Sequence, residues 1–225
     1  MGQGISEVLP FAVGVAIVPI PIVAVILMLF SARARVNGPM FAAGWVAGLS
    51  VAFLLVYALA DAGDVDSDSG AADTVAWGKL VLGVLLLLMA ARTWRGRPAP
   101  GATPELPKWM AGVDSLGPGK ALGLGVLLSA GNPKNLILIA GAAAGLAQLG
   151  LSIGDALVSL VVFVAIASLS IAGPVVYYFA GGEKAKRELD ELKSWLGVNN
   201  AAVMTVLFLV FGAVLVARGL APLTE

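Results

Sequence analysis

Six apolar stretches, at residues 5–30, 40–60, 74–91, 120–149, 152–180 and 200–217, dominate the chain. A helix needs roughly 20 residues to cross a hydrocarbon core, and these runs approach or exceed that length. No water-soluble core of this size could bury them all. Only 12% of the residues are charged, about half the fraction of a soluble domain. In hydrocarbon the backbone must satisfy its own hydrogen bonds, so apolar runs of this length are helices. The expected fold class is an all-α polytopic membrane protein with six transmembrane helices, a single membrane domain over 1–225.

The connections set the expected orientation. Of the fourteen basic residues, eleven lie on alternate connections: Arg33, Arg35, Arg92, Arg95, Arg97, Lys108, Lys120, Lys184, Lys186, Arg187 and Lys193. Basic connections face the cytoplasm. The expectation is a multi-pass protein of the cell inner (plasma) membrane with both termini outside. Trp77 outside and Trp94, Trp109 and Trp195 inside then sit at the level of the aromatic belts. The connection 61–73, expected outside, holds five aspartates and no base. Its run Asp64–Gly70 is similar to a calcium loop, but the glycine is one place late and Val75 stands where the twelfth-position glutamate belongs. A solvated acidic loop is the expectation there.

The proline- and glycine-rich stretch 93–119 reads as a cytoplasmic linker between two halves, 1–92 and 120–225. Within it, Pro107-Lys108-Trp109-Met110 begins a piece expected at the inner interface. Three helices on each side of the linker force the halves into opposite senses, as inverted-topology repeats. Two local matches agree: Gly14–Pro21 with Gly125–Pro133, and Ala91-Arg92 with Ala217-Arg218. Between the fifth and sixth segments, 183–196 is amphipathic, with Ala185, Leu189, Leu192 and Leu196 on one face. It carries opposite charges at i,i+4, such as Lys184 and Glu188. It is expected to lie along the cytoplasmic membrane surface. Glycine pairs four apart, Gly44/Gly48, Gly119/Gly123 and Gly141/Gly145, read as close helix packing within the bundle or between protomers of a homodimer.

The chain has neither cysteine nor histidine. That excludes disulfides, thiol redox chemistry, metal or haem ligation by these residues and histidine-based catalysis. No phosphate-binding P-loop, no nucleophile with a base and no nucleic-acid surface is visible. The expectation is a non-enzyme with no cofactor, no metal and no nucleic-acid partner.

Two interruptions remain. Asn132-Pro133-Lys134-Asn135 lies within the fourth segment, and Pro19-Ile20-Pro21 at a similar depth in the first. Proline removes a helical hydrogen bond and clashes with the preceding turn. Lys134 is the one basic residue well inside an apolar segment; Lys79 and Arg218 lie near helix ends. About a dozen apolar residues on each side make snorkelling poor for Lys134, and the nearby acids Asp61 and Asp155 belong to the outer surface. Lys134 is therefore expected to face a polar cavity. A half-helix starting at Pro133 would offer free N–H groups and a positive dipole end beside it, an anion site. Asn132 and Asn135 would cap the broken ends or bind ligand polar groups. Paired breaks in matching helices of two halves point to a transporter site, so Pro19 and Pro21 are expected as its second wall. Gly173-Pro174 reads as an ordinary kink.

These residues also carry a resemblance. The Pro-x-Pro of the first helix, Pro107-Lys108-Trp109-Met110, the run Ser115–Gly123 and Asn132-Pro133-Lys134-Asn135 occur in the order seen in the GAP family of actinobacteria. The chain resembles those glycopeptidolipid- or sulfolipid-addressing proteins of the lysine exporter (LysE) superfamily. The resemblance implies an inner-membrane protein that helps move a lipid or glycolipid toward the cell envelope, in company with lipid-export machinery. An anionic headgroup would suit Lys134. Two other functions are kept: an amino-acid or small-metabolite exporter of the LysE type, and a non-transporting scaffold for the export machinery. Thiol-redox and nickel or cobalt branches of that superfamily need the cysteines or histidines that are missing.

Overall fold

A computed structural model of the protein describes residues 1–64, 71–97, 112–113 and 116–221. The acidic run 65–70 and the interfacial piece 107–110 lie outside the described residues. Among the described residues all regular structure is helical: α1 (Gly2–Ala16), α2 (Pro19–Phe30), α3 (Ala34–Asp64), α4 (Ala71–Arg95), α5 (Pro118–Ala130), α6 (Pro133–Ala147) and α7 (Ile153–Leu220).

Three of these helices begin on a proline. Val18, Gly117 and Asn132 are extended residues in front of Pro19, Pro118 and Pro133. Proline disfavours helical geometry in the residue before it, and its fixed φ suits the first helical position. Pro19 and Pro133 therefore divide their apolar segments into helix pairs, as expected from the sequence. The pairs α1–α2 and α5–α6 bend by 55° and 60°. By length and apolar character three helices can cross a membrane, Ala34–Asp61, Ala76–Arg95 and Ile153–Leu220, and counting each bent pair as one span gives five.

Helix α7 runs for 68 residues but is broken at Gly182, with φ 57° and ψ −141°. That backbone conformation belongs to glycine, which lacks a Cβ. The chain doubles back there. Ser159 packs against Gly4 of α1, while Arg218 bonds to Glu7 on the next turn of the same helix. A straight α7 would hold Ser159 and Arg218 about 90 Å apart at 1.5 Å per residue. Tyr177 also donates to Glu188 across the break, at 2.5 Å. Pro174 sits inside the first arm, and no residue around it leaves helical geometry.

The second arm, 183–220, is one continuous helix. The sequence suggests a surface helix at 183–196 and a separate segment after it. The structure joins them, because no residue between the two leaves helical geometry. Ion pairs one turn apart line the charged stretch: Lys186–Glu183 at 2.7 Å, Lys193–Asp190 at 2.5 Å and Lys184–Glu188 at 3.7 Å. Its apolar face turns inward except at Leu192, which is 39% exposed. Ala185, Leu189 and Leu196 are buried, and the Lys193 ammonium lies 5.3 Å from the Phe30 ring.

Glycines set the closest helix contacts, where absent side chains let backbones meet. In α3, Gly44 faces the Leu122 carbonyl and Gly48 faces Val126 and Ser129, so α3 and α5 run parallel. In α4, Gly83 faces Val216 and Gly212, while Gly219 faces Ala76 and Leu80, an antiparallel pairing with the second arm of α7. Gly14, Phe11 and Glu7 of α1 meet Leu138, Gly141 and Gly145 of α6 in turn. This register is antiparallel. Continued by one turn of about 3.6 residues, it carries the break at Val18 to the level of Pro133 and Lys134. Between these contacts lies a core that includes Phe11, Phe41, Trp45, Phe53 and Phe163, with the Trp45 indole donating to the Ala167 carbonyl at 3.4 Å.

The bundle has two polar ends. One, the Met1 end, gathers the ion pairs Met1–Asp155 and Glu7–Arg218 and the bond from Lys79 to Gln148. The other, the Arg33 end, holds the bond from Asn37 to Leu116 and the ring contact of Phe30 with Tyr178. Packing places Arg92 and Lys193 there too. Among the described residues, bases from all three basic connections lie at this end.

Candidate anion site at the helix break

Asn132 caps α6 with its side chain, which accepts from the Lys134 backbone N–H at 3.1 Å. Its own carbonyl accepts from Leu136 N–H at 3.0 Å. The sequence expectation of free N–H groups beside Lys134 is thus met only in part: the Lys134 N–H is already satisfied. Asn135 is fully buried and donates Nδ2 to the Leu128 carbonyl at 2.9 Å. It bridges the two halves of the broken helix.

The Lys134 ammonium has no such partner. Among the described residues it makes no ion pair and no hydrogen bond; its nearest marked partner is the face of Phe208, 5.4 Å from the ring centroid. A cation over an aromatic face gains about 0.5–2 kcal/mol. That does not offset the roughly 2.5–3.5 kcal/mol that a lysine costs at mid-membrane on insertion scales. The balance comes from a polar space. Lys134 lines a cavity of about 450 Å³ with Met89, Arg92, Thr93, Gly96, Asn200 and Ala201. No acid lines it. Two cations, a threonine hydroxyl and an amide whose Oδ1 has no hydrogen-bond partner surround a space of headgroup size. The positive end of the α6 dipole adds to their attraction for an anion.

Of the residues singled out from the sequence, Lys134 alone lines this cavity. Asn132 and Asn135 hold the break, and Pro133 starts α6. Pro19 and Pro21 are buried at the start of α2; they share a level with Lys134 but are not among the lining residues. The second wall is instead the Arg33 end of α4 with the middle of α7's second arm. Lys134 also lies nearer that end than a count along the chain suggests, because α5 and α6 meet at an angle and do not add in length. Sequence alone does not bring Arg92 or Asn200 to this site: Arg92 reads as one of the positive connections, and Asn200 as an asparagine at the start of the sixth segment.

With this geometry in place the comparison with known families is specific. The family described as Sap, sulfolipid-1-addressing protein, matches residues 8–221. The chain belongs to the sulfolipid-1-addressing protein family. The match runs from within α1 to the end of α7 and includes every described residue that lines the cavity, in agreement with the resemblance drawn from the motifs. No curated protein and no solved structure matches the chain. Membership in this family and the apolar helices mark a membrane protein involved in lipid export.

Proposed function

We propose that this sulfolipid-addressing family member transports a lipid or glycolipid with an anionic headgroup across the inner membrane toward the cell envelope. The observation that carries the reading is the pairing of Lys134 with Arg92 around a cavity that no acid lines among the described residues. Each half offers a bent pair followed by two long helical stretches, and the pairings cross between halves: α3 on α5, the first arm of α7 on α1. This supports two inverted three-helix repeats with six spans, the arms of α7 counting separately. Basic connections at the Arg33 end support a cytoplasmic location for it, with both termini outside. The cavity would take the headgroup from the cytoplasmic side, and the breaks at Pro19 and Pro133, at one level, would let the repeats move against each other.

One observation favours a second reading. A volume near 450 Å³ also fits a whole small metabolite, and a carboxylate would satisfy the same two cations. Vesicles reconstituted with the protein decide between them. Translocation of a fluorescent sulfated glycolipid should exceed that of its unsulfated parent and fall at least tenfold in Lys134→Ala, with insertion and thermal stability retained. Unchanged sulfolipid movement in that variant, or a selective loss of amino-acid efflux, would remove the lipid reading.

A further inference from the structure

Three charged residues at the Met1 end take no part in the Lys134 cavity, and they come from three helices. Glu7 of α1 accepts from Arg218 of α7 at 2.5 Å. Lys79 of α4 donates to the side chain of Gln148, at the end of α6, at 2.7 Å. Gly219, the neighbour of Arg218, packs against Ala76 and Leu80 on either side of Lys79. Both members of the pair are substantially withdrawn from solvent, Glu7 at 18% exposure and Arg218 at 34%. The Glu7 carboxyl fills a notch over Gly145, where any Cβ would overlap it.

Among the described residues of this cluster the charges do not balance. Two cations face one carboxylate, and Lys79 is held directly by a neutral amide. Lys79 and Arg218 are also the only two of the fourteen bases that neither the cytoplasmic connections nor the Lys134 cavity explains. An ion pair kept for stability alone needs no second cation, because an unmatched charge withdrawn from solvent costs desolvation without return. The arrangement is that of an anion site whose occupant is part of the protein.

We propose that Lys79, Arg218 and Gln148 form a second anion site, at the opposite end from Lys134, and that Glu7 occupies it until a sulfate- or phosphate-type group displaces it. Such a group offers several acceptor oxygens, able to engage the planar arginine fork and the lysine together; the single Glu7 carboxylate bonds only Arg218. Only the Glu7 side chain has to swing away. Because the site is filled at rest, it holds an arriving anion weakly and releases it. The inference rests on the reading that the cargo is anionic, and it adds where that cargo's charge goes after Lys134.

The test uses full-length protein in phosphatidylcholine nanodiscs, with Lys134→Ala and Arg92→Gln together as the background so that the first cavity is silent. One arm titrates sodium sulfate by calorimetry. The other measures retention of sulfatide against galactosylceramide by native mass spectrometry. Adding Glu7→Gln should tighten binding of the sulfated probe about tenfold, the equivalent of 1.4 kcal/mol. Adding Lys79→Gln or Arg218→Gln to that variant should abolish the gain. A gain with both probes assigns the site to any sulfate-type anion, and a gain with sulfatide alone assigns it to a lipid headgroup. No gain with either probe, or a gain that survives both basic substitutions, overturns the proposal. Should Glu7→Gln fail to fold, Lys79→Gln alone keeps the Glu7–Arg218 pair and must weaken sulfate-group binding; unchanged binding again overturns it. These binding results stand apart from flux, so a failure of the transport reading would show separately, as normal lipid movement in Lys134→Ala.

Discussion

Asn135 donates its side-chain amide to the carbonyl of Leu128 across the break between α5 and α6, at 2.9 Å. In a continuous helix that carbonyl would accept from residue 132. Asn132 is instead extended, as the residue before a proline tends to be. The amide of a side chain one turn further on replaces the missing backbone donor. The 60° angle of the pair is thus held by a specific bond.

Replacing Asn135 with leucine should destabilise the protein by about 1–3 kcal/mol, the penalty for a buried carbonyl left without a donor. The measurement is the thermal unfolding midpoint in mild detergent. Asn135→Gln, which keeps the amide on a longer arm, should recover part of the loss. An unaltered midpoint in the leucine variant would show that water or backbone adjustment supplies the donor.

The three glycine pairs, alike in sequence, should respond differently. A Cβ at Gly44 would run into the Leu122 backbone carbonyl, and one at Gly125 into the Phe41 carbonyl. Backbone cannot step aside as a side-chain tip can. Gly44→Ala should therefore cost about 1–3 kcal/mol, the range for overpacking. Gly119 and Gly123 face open space, so Gly123→Ala should be neutral or slightly stabilising through helix propensity. Paired unfolding curves in one detergent would check both.

That contrast marks what the sequence could reveal. Apolar length, the alternation of bases and the prolines at 19 and 133 were legible because each acts locally: hydrocarbon demands helices, and proline ends them wherever it stands. The odd charge of Lys134 was legible for the same reason. Its neighbours were not. Arg92 and Asn200 join it only once α4 and α7 pack around α6, and nothing in a linear reading tells a glycine that touches a carbonyl from one that faces open space. The partner of Glu7 was hidden too, because Arg218 lies at the far end of the chain. The angle between α5 and α6 explains why a count of flanking residues set Lys134 too far from the Arg33 end.

Gly182 is the hinge on which the long last helix turns. Its φ of 57° with ψ of −141° lies in a region that costs a residue bearing a Cβ about 1–3 kcal/mol. A Cβ there would meet nothing within 4 Å, so any effect of Gly182→Ala is conformational and not steric. The variant should lose stability by that amount and weaken the bond between Tyr177 and Glu188. Tyr177→Phe in the Gly182→Ala background should then cost less than in the parent protein. Equal costs in both backgrounds would show that the turn survives the substitution.

Salt should separate the two cations of the cavity. Arg92 is exposed, whereas Lys134 is partly buried beneath the Phe208 ring. The screening length falls from about 10 Å at 0.1 M to about 3 Å at 1 M, and exposed charges feel this most. Charge-assisted hydrogen bonds contribute about 1.5–3 kcal/mol, so at low salt Arg92→Gln and Lys134→Met should each weaken binding of a short-chain sulfated glycolipid by at least about tenfold. At 1 M salt the Arg92 effect should shrink to a few-fold while the Lys134 effect persists. Because both side chains would grip one anion, their combined loss should depart from additivity by about 0.5 kcal/mol or more. Affinities of the parent, single and double variants across a salt series measure all three quantities. Strict additivity together with equal salt sensitivity would place the two cations on separate ligands.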